Sequence, residues 1–325
     1  MFKGTTGAQV KWRIAAACQC GIHVAQMILG SGRVILLVGN SVNVLASEAT
    51  TGFLRVRPPG LTLTYVMASF SLCALLWGPK RGRRFMLVVC SASLLSVALS
   101  LNRNMMMALP LALLATGVIT QHLRRVVFVV LGGFALLSIL LLVVGGDVRS
   151  VSPATVVAAR VGTIADYRFL QETSLNDRYR ETGAALHTLA RSPLLGVGWG
   201  VPYGAPFDVV YGGVSVTEQR QWIHNEYVGL WLRAGLIGLL ALVALLLVLI
   251  RRGSVWASER GSRDDAWMGA GLVCSTLTLV LSSFVGMYLS TGDSLMVFAF
   301  LVALAWSFRP AANAVVVTPS ALQDE

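Results

Sequence analysis

Charge is the scarcest ingredient of this chain. Of its 325 residues only 13% are charged and 55% are hydrophobic. That excludes a soluble globular domain of ordinary composition, in which about 25% of residues carry charge. Carboxylates are rarer still, 15 Asp and Glu against 26 Lys and Arg, for a formal net charge of +11. In a soluble protein such an excess would suggest nucleic acid as a partner. Here the basic residues gather at the ends of apolar runs, where the positive-inside rule accounts for them, so no nucleic acid is expected. The composition is that of an integral membrane protein.

Cysteine is also sparse, and all five, Cys18, Cys20, Cys73, Cys90 and Cys274, lie in or beside apolar runs. None falls in the long polar stretch where an extracytoplasmic disulfide would be useful, so they read as small buried hydrophobes. No apolar segment of the usual ~7–15 residues precedes Ala15-Ala16-Ala17-Cys18, which excludes a lipoprotein site and a removable signal peptide. Internal repeats, heptads and low-complexity tracts are missing. No His, Cys or carboxylate cluster has metal-ligand spacing, and Asp147, Asp166 and Asp208 are scattered, so no metal and no cofactor are expected.

What is present is a series of apolar runs. A weak one spans Ile14 to about Gly30, interrupted by Gln19, His23 and Gln26. Val34–Ala46 is too short for the ~30 Å hydrocarbon core and reads as an interfacial or re-entrant helix. Strong runs follow at 61–77, 84–101, 105–121 and 126–144, then at 227–250, 267–290 and 294–308. The basic residues Lys80, Arg81, Arg83, Arg84, Arg124, Arg125, Arg251 and Arg252 fall at alternate turns, which places those turns in the cytoplasm. The expected fold is an all-α polytopic membrane bundle of about eight transmembrane helices with both termini inside. It divides into an N-terminal bundle at 1–144, an outer loop at 145–222, three spans at 223–308 and a cytoplasmic tail at 309–325.

The loop carries seven basic and seven acidic residues and so has no charge bias of its own. Within it, Asn176 or Asp177 is expected to cap a helix running to about Arg191 and stopped by Ser192-Pro193. Arg178 lies in its first turn, Glu181 shares that face and is positioned to pair with the guanidinium, and His187 points to the opposite side as an ordinary helix-face residue. The glycines of Leu195-Gly196-Val197-Gly198-Trp199-Gly200 lack the Lys-Ser/Thr pair, strand and helix of a phosphate loop, and so read as a tight turn. Pro202, Pro206, Gly212 and Gly213 make 201–216 an irregular, lid-like segment. Glu218-Gln219-Arg220-Gln221 then hands over to Trp222–Leu240, WIHNEYVGLWLRAGLIGLL.

His224 is expected to open an unbroken helix, with Tyr227 and Trp231 three and seven residues on and on the same face. That groups an imidazole with two aromatic rings, although an interfacial aromatic belt with a polar helix start gives the same spacing. Arg233, roughly 13 Å deeper, must face a polar interior or snorkel outward.

Asn176-Asp177-Arg178-Tyr179, Ala190-Arg191-Ser192-Pro193-Leu194-Leu195-Gly196-Val197-Gly198, His224-Asn225-Glu226-Tyr227 and Gly235-Leu236-Ile237-Gly238 together resemble the signature of the O-antigen ligase and polymerase superfamily. Leu101-Asn102-Arg103 is similar to that family's Ser-Arg at the outer end of a helix, with asparagine in place of serine. The resemblance covers roughly 100 to 308 and implies a C-type membrane glycosyltransferase. Such an enzyme moves a glycan from a polyprenyl-diphosphate-linked donor, undecaprenyl diphosphate in bacteria, to a glycolipid or glycan acceptor at the periplasmic face of the inner membrane.

Loss of the diphosphate builds negative charge that guanidinium groups stabilise, which suits Arg103 and Arg178, helped by the N-terminus of the helix at 176. Arginine stays protonated and cannot serve as base. His224 suits a proton acceptor or orienter for the acceptor hydroxyl. Arg220, Asn225, Tyr227 and Trp231 complete the expected substrate-binding set. The resemblance further implies an inverting, metal-independent reaction, by either ligation of a finished glycan or polymerisation of repeat units.

Two alternatives stand beside that assignment. A transporter or flippase of an amphipathic glycolipid would show repeated halves and paired midplane charges, which are not seen here. An inactive fragment of a longer ligase would explain why the chain has fewer spans than typical relatives.

Overall fold

A computed structural model describes residues 61–80, 82–99, 103–144, 173–211, 214–221, 223–258, 266–286, 288–289 and 292–307. The runs expected at 14–30 and 34–46, the motif at 57–60, Leu101-Asn102, most of the loop before 173, the charged cluster at 259–265 and the tail lie outside the described residues. Eight helices and one hairpin are described: α1 (Leu61–Trp77), α2 (Arg83–Leu99), α3 (Arg103–Ile119), α4 (Leu123–Val144), α5 (Thr173–Leu189), β1 (Tyr203–Tyr211), β2 (Val214–Arg220), α6 (Glu226–Ser258), α7 (Ala266–Ser283) and α8 (Gly292–Ser307). All but α5 fall on the apolar runs, because helices satisfy their own backbone polar groups where no water can. Among the described residues α6 and α7 are long and apolar enough to cross a bilayer.

α7 is the central helix, packed on α1, α3, α6 and α8. One apolar cluster joins Val66 of α1, Leu246 and Leu249 of α6, Leu272 and Leu279 of α7 and Leu301 of α8. A second joins α1, α3, α4 and α7 through Cys73, Leu109, Leu113, Val126 and Cys274. Cys73, Cys90 and Cys274 are buried free thiols, as their apolar settings suggest. Some hydroxyls inside the bundle fold back on their own helix, as Thr116 does on the Ala112 carbonyl (2.7 Å) and Thr278 on that of Cys274 (2.8 Å), whereas those of Thr64, Ser93, Ser96, Ser275 and Ser283 are buried without a partner among the described residues. Between helices, Thr62 of α1 and Ser294 of α8 share a hydrogen bond of 2.8 Å.

The bundle has two chemically different ends. At one, the start of α3 and the start of α6 are both fastened to the connection between α7 and α8: Asn104 Nδ2 donates to the Val285 carbonyl (3.5 Å), and Glu226 accepts the Leu289 N–H (3.3 Å). At the other lie Lys80, the starts of α2 and α4 with their arginines, and Arg252, which donates to the Ala305 carbonyl (3.1 Å) and stacks on Trp306.

Three expectations are corrected. Within 201–216, residues 203–211 and 214–216 are strand: β1 and β2 pair antiparallel, Tyr211 with Val214 and Tyr203 with Arg220, with one register irregularity between Tyr203 and Phe207. The cause of this hairpin is a Gly-Gly pair between runs rich in valine and aromatics, a connector that the prolines overshadowed in the sequence. α5 begins at Thr173 rather than at Asn176; Thr and Ser suit a helix start equally well, and Asp177 and Arg178 therefore lie past the first turn. The helix after His224 is neither opened by it nor unbroken. It starts at Glu226, and Gly235 interrupts it with φ 69° and ψ −175°.

Candidate functional site

The segment His224-Asn225 is built by its neighbours in sequence. Asn225 Oδ1 accepts the Val228 N–H (3.1 Å) and caps α6, meeting one of the four donors that a helix start leaves open. Ile223 is buried with Ala185, Leu189, Tyr203 and Leu232. It packs so closely on Gly229 that a Cβ there would stand 2.5 Å from its Cγ2. Buried Glu226 ties the same turn to Leu289. His224 is thus held at the mouth of the bundle by backbone on both sides.

The partner of His224 is Glu181 of α5. Oε2 of Glu181 lies 2.8 Å from Nδ1 of His224 and 3.2 Å from its backbone nitrogen, and Oε1 accepts the Tyr203 hydroxyl (3.2 Å). The expectation that Glu181 pairs with Arg178 gives way to these contacts. Burial would raise the Glu181 carboxyl, but the hydrogen bonds from His224 and Tyr203 and the imidazole's charge outweigh it and hold the carboxyl below its ordinary value. An ionised carboxylate only accepts, so Nδ1 carries a proton, and in the neutral imidazole Nε2 is the nitrogen with the lone pair. The His224 side chain is 57% exposed while that of Glu181 is 8% exposed: a buried anchor holds an accessible ring.

Tyr203 is pushed the other way. Burial, the Glu181 charge and the hydrogen bond to it raise its phenol, against the pull of Arg220 and Arg233. Those two guanidinium groups therefore flank the Tyr203–Glu181–His224 chain, Arg220 by the hairpin register. Arg233 is buried: its Nη2 donates to the Gln221 carbonyl (2.9 Å) and its guanidinium lies 4.9 Å from the centre of the Trp199 ring. Both contacts lower the cost of a charge in an apolar helix.

The break at Gly235 is filled by the turn at 193–198. The Val197 and Gly198 N–H groups donate to the carbonyls of Leu232 (2.6 Å) and Arg233 (3.1 Å), while the Leu236 N–H donates to Pro193 (3.1 Å). The turn thus supplies partners that the interrupted helix loses. Two glycines meet there. A Cβ on Gly235 would stand 2.0 Å from the Leu194 carbonyl oxygen, and one on Gly196 2.6 Å from the Gly235 nitrogen.

The remaining expected site residues are distributed as follows. Arg178 is half-buried on α5, three residues before Glu181. Arg103 begins α3 at the same end of the bundle, through Asn104; its side chain lies outside the described residues. Tyr227 and Trp231 are engaged elsewhere than at His224: the Tyr227 hydroxyl donates to the Val280 carbonyl (2.8 Å) and its ring lies 4.7 Å from that of Phe284, while Trp231 Nε1 donates to the Pro193 carbonyl (2.8 Å). Glu181 as the histidine's anchor, Tyr203 and Arg233 were not assigned from sequence. Only the Gly-Gly hairpin signal could have brought Tyr203 to attention.

A buried carboxylate fixing an exposed imidazole, bordered by guanidinium groups, can take a proton from a hydroxyl and stabilise an anion beside it. Residues 88–243, which include both Glu181 and His224, match the family model described as O-Antigen ligase. No curated protein matches the chain.

Proposed function

From the match of residues 88–243 to the O-antigen ligase family model, we propose that this membrane protein transfers a glycan from undecaprenyl diphosphate to an acceptor hydroxyl at the periplasmic face of the inner membrane. The supporting observation is the 2.8 Å bond from Glu181 to Nδ1 of His224, which leaves Nε2 accessible as a base. The acceptor hydroxyl gives its proton to Nε2 as its oxygen bonds to the anomeric carbon from the side opposite the leaving group. The bond from that carbon to the diphosphate breaks, and its electron pair leaves with the diphosphate. Inversion follows from that geometry.

Arg103, Arg178 and Arg220 are proposed to receive the developing negative charge. Asn225 keeps His224 in place through its cap. The step needs no metal. Orientation follows from charge: the end of the bundle bearing Lys80, Arg83, Arg84, Arg124, Arg125, Arg251 and Arg252 faces the cytoplasm, and His224 faces outward. Domain limits at 1–144, 145–222, 223–308 and 309–325 belong to the same proposal.

The test is transfer by purified protein from a lipid-linked donor, comparing wild type with His224→Ala and Arg178→Ala. General-base loss costs about 10²- to 10⁴-fold. Wild-type rates in both variants would sink the assignment. Ligation and polymerisation share this step and are told apart by whether the product glycan is attached to a lipid or has grown by repeat units.

A further inference from the structure

Along α5, beyond the residue that anchors His224, the helix and the hairpin enclose a second space that the transfer step does not use. It is a cavity of about 400 Å³, walled by His187, Thr188 and Arg191 of α5 and the turn after it and by Tyr203, Gly204 and Gln219 of the hairpin. That volume falls in the ~300–1,000 Å³ range of small-ligand sites. Three features define its chemistry. Its wall holds a guanidinium and an imidazole, and among the described residues no carboxylate. Gln219 brings an amide with donors and an acceptor. Thr188 donates its own proton to the Ala184 carbonyl (3.0 Å), so its oxygen remains an acceptor for a ligand hydroxyl.

Position adds a further constraint. Thr188 is seven residues from Glu181, on the same helix face and about 10 Å along the axis. Tyr203 belongs to both places: it lines the cavity, and its hydroxyl rests on Glu181. Gly204, with φ +75°, brings the hairpin so near α5 that a Cβ would meet that of Ala184 at 3.2 Å. The cavity is therefore built by close packing of two elements, with a fixed offset from His224.

We propose that this cavity is a saccharide subsite for an anionic sugar, one carrying a carboxylate or a phosphate, with Arg191 and His187 taking the anionic group and Thr188 and Gln219 the hydroxyls. The offset of about 10 Å places that sugar a short distance along the glycan from the reacting hydroxyl or anomeric carbon. The sugar's role as part of the glycan rests on the transferase proposal above; its binding does not.

The experiment is calorimetric titration of the full-length protein in nanodiscs with a glucuronic-acid disaccharide, with glucose 1-phosphate and with a neutral glucose disaccharide, on wild type, Arg191→Gln, Arg191→Lys and His224→Ala. At least one anionic probe is expected to bind at least ten-fold more tightly than the neutral one. Arg191→Gln should remove that preference, Arg191→Lys should restore most of it, and His224→Ala should leave it unchanged. The preferred anionic probe tells carboxylate from phosphate. Equal binding of all three sugars, or an undiminished preference in Arg191→Gln, overturns the subsite. Full transfer by His224→Ala with the preference intact would instead overturn the transferase assignment and leave the subsite standing.

Discussion

Glu181 and His224, 43 positions apart in the chain, are joined twice: the carboxylate oxygen Oε2 accepts from the imidazole Nδ1 at 2.8 Å and from the His224 backbone N–H at 3.2 Å. The double contact fixes both where the ring sits and which of its nitrogens carries the proton. Glu181→Gln probes that second role. Its amide nitrogen can donate to Nδ1, which moves the ring proton to Nε2 and removes the base. Glycan transfer is expected to fall by about 10²-fold or more without loss of donor binding, read as initial rates at saturating donor. A fall in donor affinity at unchanged turnover would contradict an orienting role.

How much of this was legible beforehand differs by element. Seven of the described helices fall on apolar runs that were readable in the sequence, and two of them, α6 and α7, are long and apolar enough to cross a membrane. α5 was readable through its proline stop. In the candidate site, the His-Asn pair, Arg178 and Arg103 stand in motifs recognisable in the sequence, but Glu181 on its own helix looked like a partner for Arg178 at i, i+3. Its true partner depends on how α5 packs against the start of α6, a tertiary fact that spacing does not carry. Likewise the break at Gly235 is invisible without the turn at 193–198 that fills it, since an isolated glycine in an apolar helix is ordinary.

Acid should loosen this junction in a way that depends on Glu181. Its carboxyl is held below the ordinary 4.5 in the folded protein. A depressed folded value contributes stability above the unfolded value, and that contribution is lost as pH falls through the folded one. The Tm advantage of wild type over Glu181→Gln should therefore be full near pH ~6 and shrink towards pH ~3. A Tm difference that stays constant over that interval would show that the carboxylate's charge is not what joins α5 to His224.

Glycine substitutions should separate close approach from conformational preference. Gly235→Ala meets a backbone oxygen at 2.0 Å, and Gly196→Ala a backbone nitrogen at 2.6 Å, both at positive φ. Neither obstacle is a flexible side chain, so each is expected to lower stability by about 2 kcal/mol or more. Gly183→Ala, within α5 with nothing inside 4 Å of the added Cβ, should raise it by about 0.5–1 kcal/mol. Thermal unfolding in detergent reads all three. If Gly235→Ala is neutral, the turn at 193–198 does not hold the helix break.

Orientation can be tested with single cysteines, because the thiols at 73, 90 and 274 are buried and Cys18 and Cys20 can be replaced by serine. Tyr179 on α5 is 71% exposed, and Lys80 is exposed at the opposite, basic end of the bundle. The positive-inside rule puts Lys80, with the arginines that start α2 and α4, in the cytoplasm and so turns α5 outward. In intact spheroplasts an impermeant maleimide should label Tyr179→Cys, and it should reach Lys80→Cys only after permeabilisation. The reverse pattern would put His224 on the side of the cytoplasm, away from a donor displayed outside, and the proposed reaction could not occur there.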